Sequence, residues 1–266
     1  MGIEHIPKEE LARIFTALTL GLLGILEITM PSCFGSIRFY FRGARACLGP
    51  DERARLTRVV DARAGAEGTD PYTRVAGIFT IVMALVALLP SVPYVLPYAA
   101  SCAGLAIGVL LAYLRFRRTT ERRVAPLTQR NPWTSLPPLV LACAGVCIVA
   151  AASLAVYPQY RIAAIAAAAC GIGLCAIAWR VAIAPAMLFG DDPQLEYLVD
   201  EHVRFCRATG LVSLACAPPT VLVIFAWSEL QVVPPVLQAI TMAVVAAFAV
   251  VMIFSINPTR KRIMVA

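Results

Sequence analysis

Apolar residues in this chain gather into long stretches that polar residues interrupt only in short clusters. Runs of this kind occupy about 14–37, 74–92, 95–114, 136–156, 162–187, 209–228 and 234–255. Each is close to the roughly 20 mostly apolar residues that carry a helix across a bilayer. An alternating in-and-out pattern is absent, which excludes a membrane barrel. Open strands are excluded as well, because hydrocarbon offers the backbone no hydrogen-bond partner. The pattern therefore predicts an all-α, polytopic transmembrane helical bundle of seven spans. If Pro31 and Gly35 turn the first run back, it becomes six spans plus one re-entrant segment.

The polar clusters divide the chain further. A leading segment at 1–41 precedes three helical hairpins at 70–117, 131–188 and 208–256, all within a single integral membrane domain covering 1–266. Two of the connectors, 50–64 and 192–207, are expected to be amphipathic helices outside the spans. In the second, Asp191 or Asp192 suits the N-cap and Pro193 the first turn. At about 100° per residue, Leu195, Leu198, Val199, His202 and Val203 share one face, with Phe205 and Cys206 beside them. Glu196, Asp200, Glu201, Arg204 and Arg207 take the opposite face. The apolar face is a candidate docking surface for a soluble cytoplasmic partner, and the arginine-rich 50–64 is a candidate contact for anionic lipid.

Composition sharpens the picture. The 266 residues are 60% hydrophobic and 15% charged, with a mean hydropathy of +0.78, leaving too little charge to coat a soluble domain of this length. The net charge of +7 points to nucleic acid in a soluble chain, but here its distribution argues otherwise. Arginines crowd the connections after the first, third and fifth runs and the tail after the last, whereas the alternate loops hold only Arg161. Basic loops stay in the cytoplasm. The C-terminus is thus expected inside, in the cell membrane, with no role for nucleic acid. Neither a cleavable signal nor a myristoylation pattern is expected at the start.

Candidate chemistry is sparse. Glu27 is the one carboxylate deep in an apolar run, and it should be neutral, paired or facing water. Arg180 is its candidate partner, although its place near a span end also suits snorkelling. Pro218 and Pro219 interrupt the sixth run, depriving the carbonyls of Leu214 and Ala215 of their helical donors. Ser213 and Thr220 stand ready to substitute. Freed carbonyls at such depth serve polar-solute sites in discontinuous helices, yet they also occur in kinked packing helices. The nine cysteines include Cys143 and Cys147 on one helix face, with Cys170 and Cys175 at comparable depth on the next. A soft-metal or redox cluster is conceivable there, but ordinary packing by small residues is the expected role.

The exclusions are firmer. Two histidines rule out bis-histidine haem ligation and three-histidine metal sites within this chain. Lys8 and Lys261, the only lysines, are terminal, which removes a retinal-type Schiff base. There is no Walker A motif and no GxSxG. No catalytic constellation, resident metal or cofactor is expected. Two functions remain: a small-solute permease or channel-like component without its own ATPase, using Glu27, Arg180 and the 213–220 segment, or a non-catalytic accessory subunit. The accessory reading draws on Gly104-Leu-Ala-Ile-Gly108 and the small-residue stretch 162–173, which favour close packing against a second copy or a membrane-complex partner.

Overall fold

The computed structural model describes residues 8–29, 37–67, 71–120, 131–184 and 192–230. Helices appear throughout, and among these described residues there is no strand. In chain order they are α1 (Lys8–Thr29), α2 (Ile37–Tyr40), α3 (Arg42–Cys47), α4 (Pro50–Glu67), α5 (Tyr72–Ala87), α6 (Val95–Thr120), α7 (Pro138–Ser153), α8 (Arg161–Ala182) and α9 (Pro193–Leu230). Among the described residues, four stretches are long and apolar enough to cross a membrane: Val95–Arg117, Pro138–Val156, Arg161–Ala182 and Pro193–Ala226. The apolar parts of α1 and α5, Arg13–Ile25 and Tyr72–Ala87, are shorter. The run at 234–255 lies outside the described residues.

Glycine sets how closely these helices approach. A side chain on Gly24 of α1 would meet the Gly77 carbonyl at 2.7 Å and Ile81 Cγ1 at 2.6 Å. One turn away, Gly21 leaves 4.0 Å to Ala84 Cβ. The GxxxG pair of α6 serves the neighbouring helix of the same hairpin: Gly104 seats the Phe79 ring, and Gly108 seats Ala76 and the Tyr72 carbonyl. Close approach of this kind replaces the hydrophobic effect as the source of cohesion in lipid. Hydroxyls are kept from needing water by bonding to their own helix, as Thr80 does to the Ala76 carbonyl at 3.0 Å and Ser101 to the Pro97 carbonyl at 2.9 Å.

α1 runs antiparallel to α5. Near its start, the Arg13 guanidinium donates to the carbonyls of Leu89, Val92 and Pro90 at 2.5, 2.6 and 3.0 Å, tying it to the loop that ends α5. This loop and the 154–160 turn mark one end of the bundle. Arg115, Arg117 and Arg180 mark the other, basic end.

At the basic end a second, smaller core forms. Ile37, Phe41, Ala44, Leu48, Leu56 and Val60 of the α2–α4 segment enclose Val199 and Val203 of α9. This corrects the expected separation of 192–207 from the sixth run. The two are one helix of 38 residues, about 57 Å long and nearly twice the hydrocarbon thickness. Its second half belongs to the bundle and its first half to the basic-end cap. Nothing in 208–210 terminates it: Thr209 and Gly210 lack the following proline or left-handed residue that stops a helix. The N-terminus is set as the sequence suggests, with Asp192 accepting from the Leu195 N–H at 3.2 Å and Pro193 in the first turn.

Candidate functional site

The proline pair sits inside α9 without breaking it. Pro218 and Pro219 are both buried, and the surrounding groups show how helix continuity is kept. Ser213 Oγ does not reach the freed carbonyls, because it donates back to the Thr209 carbonyl at 2.9 Å. The Ala215 carbonyl faces Gly171 of α8, where an added Cβ would lie only 3.2 Å from the oxygen. The missing side chain lets the α8 backbone close over this carbonyl, a contact that polarised Cα–H groups favour weakly. On the other side, the buried Tyr98 of α6 donates its hydroxyl to the Pro218 carbonyl. Thr220 Oγ1 donates across to Cys147 Sγ of α7 at 3.5 Å. Three neighbouring helices thus meet polar groups of this segment, α6 and α7 by hydrogen bonds and α8 by close backbone approach.

A cavity of about 20 Å³ lies one turn toward the 88–94 end. Such a volume suits a single water. Its wall includes Thr16, Tyr94, Tyr98, Tyr160, Val221 and Phe225. Phe225 organises the rings, with Tyr94 edge-on at 5.1 Å, Phe15 stacked at 6.2 Å and Tyr160 edge-on at 6.4 Å. Tyr160 is fully buried. It enters the core because the α7–α8 turn folds its ring inward toward α9.

The remaining polar candidates scatter. Arg180 is exposed in the last turn of α8, in keeping with snorkelling. Glu27 belongs to α1, which packs mainly along α5; its side chain lies outside the described residues. Of the docking residues, Val199, His202 and Val203 are buried and Leu195 and Leu198 half-buried. The chain's own α2–α4 covers this face, and His202 packs edge-on against Phe41 at 5.1 Å.

Most of the polar face of 192–207 is enclosed too, with Glu201 half-buried. Glu196, Asp200, Arg204 and Arg207 are all at most 5% exposed. Arg63 of α4, itself buried, pairs with Asp200 at 2.8 Å, and Arg204 pairs with the second Asp200 oxygen. Arg207 stacks over the Phe116 ring of α6, its guanidinium carbon 4.9 Å from the centroid. Burial of these charges follows from long-range partners that helical periodicity cannot reveal. At the rim, Arg55 pairs with Asp192 at 2.6 Å. This bond, seconded by the Leu195 N–H, holds the Asp192 carboxyl below its ordinary range. Arg38 and Arg45 converge on Asp61.

Sequence reasoning missed Tyr98 and Arg63. No spacing rule pairs residues 120 or 137 positions apart, although an aromatic hydroxyl in an apolar run was a usable signal. Among the described residues, no three His, Cys, Asp or Glu side chains converge as a metal site would require. Comparison with known protein families, curated proteins and solved structures found no match.

Proposed function

We propose that this chain is a non-catalytic integral membrane subunit, anchored by its bundle and stiffened at the cytoplasmic surface by the α2–α4 cap. The observation carrying this reading is the packing of 213–220. A solute pathway needs polar groups open to water at that depth. Here Ser213 bonds within its helix, Ala215 meets Gly171, and Pro218 accepts from Tyr98. A partner in the membrane, either another subunit or a second copy, would meet the lipid-facing side chains, among which Leu139, Val146 and Val149 of α7 are about 70% exposed.

The proposed topology places the basic end in the cytoplasm and the N-terminus outside. Support comes from the arginine-poor 88–94 loop, to which the start of α1 is tied, and from the arginine-rich opposite end. With 234–255 crossing last, the chain makes seven spans and ends inside.

Solvent accessibility tests the reading. Single cysteines are placed at 213–220 and 24–30 in a cysteine-free background, in native-like membranes, and a membrane-impermeant thiol reagent is added from each side in turn. No labelling at 213–220 is expected. Labelling of both segments from one side would instead establish a shared aqueous cavity and a permease. That second reading has one observation in its favour: the small aromatic cavity touches Tyr98, and so lies one contact from the proline pair.

A further inference from the structure

Buried hydroxyls in this bundle are spent on their own helices. Thr80, Ser101 and Thr209 each donate to the carbonyl four residues back. Thr16 of α1 departs from that pattern. It is 6% exposed, and among the described residues its hydroxyl has no hydrogen-bond partner. A buried hydroxyl left without a bond is costly. Thr16 lines the cavity of about 20 Å³ between α1, α6, α8 and α9, and shares its wall with Tyr98. Tyr98 has given its only hydroxyl proton to the Pro218 carbonyl. Toward any further partner, its oxygen can only accept.

We propose that this cavity is a binding site for a single water molecule, held between the Thr16 hydroxyl and the Tyr98 oxygen. Its volume limits the occupant to about one water. Chemistry then chooses among occupants of that size. The site asks for a molecule that donates to Tyr98 and bonds to Thr16, which water does and an apolar gas does not. A small cation is disfavoured, because no carboxylate lies on the wall. The Arg13 guanidinium also sits nearby, on the carbonyls of the loop that leads into Tyr94 and Val95. The water acts as a fastening. α1 packs mainly along α5 and meets α6 and α9 only slightly, so a water bonded to Thr16 and Tyr98 ties α1 to the helices that hold the proline pair. This assignment stands independently of whether the chain conducts a solute.

The test uses the full-length chain in lipid nanodiscs, deuterated except for labelled valine and leucine methyl groups. Magnetisation transfer from water to the Val95 and Val221 methyls reports the occupant, since both line the cavity. The wild type should show this transfer, while the buried Val109 and Leu174 show none. Thr16→Val keeps the shape and removes the hydroxyl, and Tyr98→Phe removes the acceptor; each should abolish the transfer. Thr16→Ser should keep it. Xenon under pressure gives a second readout. It should shift the Val95 and Val221 methyls in Thr16→Val, because an apolar cavity stays dry and takes such a gas, but leave them unmoved in the wild type. Unchanged Val109 and Leu174 signals confirm the fold of each variant. Transfer that survives Thr16→Val and Tyr98→Phe would overturn the assignment. The wild type also decides by itself: no transfer from water, transfer from lipid chains instead, or a full response to xenon would each overturn it, whether or not any variant folds.

Discussion

Replacing Asp200 by Asn probes the joint between cap and bundle. Asp200 is 2% exposed, is ion-paired with Arg63 on α4, and accepts from Arg204 one turn along α9. The substitution preserves shape but removes the negative charge, leaving two guanidinium groups buried around a neutral amide. Breaking a buried pair in this way costs about 3–5 kcal/mol. The loss should appear first as local opening, since the α2–α4 segment is held to α9 by a core far smaller than that of the bundle. Trypsin reports it directly, because Arg53, Arg55 and Arg58 of α4 are exposed targets. Faster cleavage in α4 and a lower unfolding midpoint in nanodiscs are expected for Asp200→Asn. The triple change Arg63→Met, Asp200→Leu, Arg204→Met removes all three charges and should restore much of the loss, because apolar replacements of buried ion networks are often neutral or better. If Asp200→Asn leaves both cleavage and midpoint unchanged, or the triple variant is worse than the single one, the electrostatic account of this joint is refuted.

Three further outcomes follow from the same structure. Gly24→Ala should destabilise by about 1–3 kcal/mol, as overpacking does, because its Cβ would strike the α5 backbone; Gly21→Ala, with 4.0 Å to spare, should be neutral or better, and parallel thermal unfolding of the two separates them. Tyr98→Phe should destabilise by about 0.5–1.5 kcal/mol through loss of the bond to the Pro218 carbonyl, without lengthening α9, as hydrogen exchange around 214–222 can check. The Asp192 carboxyl is held low by Arg55 and the Leu195 N–H, so its contribution is fully present above the unfolded value near pH 4. It is lost as pH falls from there through the lower folded value. An unfolding series should therefore show Asp192→Asn weaker than wild type at neutral pH, by a small margin because the pair is solvent-screened, and the gap should close in acid.

The helical class and the membrane setting were both legible in the sequence, because a bilayer imposes a length and an apolarity that a single chain must display locally. Helix caps were legible for the same reason: Asp192 and Pro193 act on their own turn. Glycine positions signalled close packing, but not its partner; Gly104 and Gly108 meet α5 of their own hairpin. Only the tertiary structure decided what became of the polar residues. It joined 192–207 to the sixth run in one helix, since no local stop separates them, and it buried Asp200, Arg204 and Arg207 by bringing α4 and α6 against a face that periodicity assigns to water. It also carried α9 through Pro218 and Pro219, where Gly171 lets α8 close on the Ala215 carbonyl and Tyr98 donates to the Pro218 carbonyl. Those partners are 44 to 137 residues away in the chain, and a local pattern holds no record of which distant surface will arrive to neutralise a charge or accept a hydrogen bond.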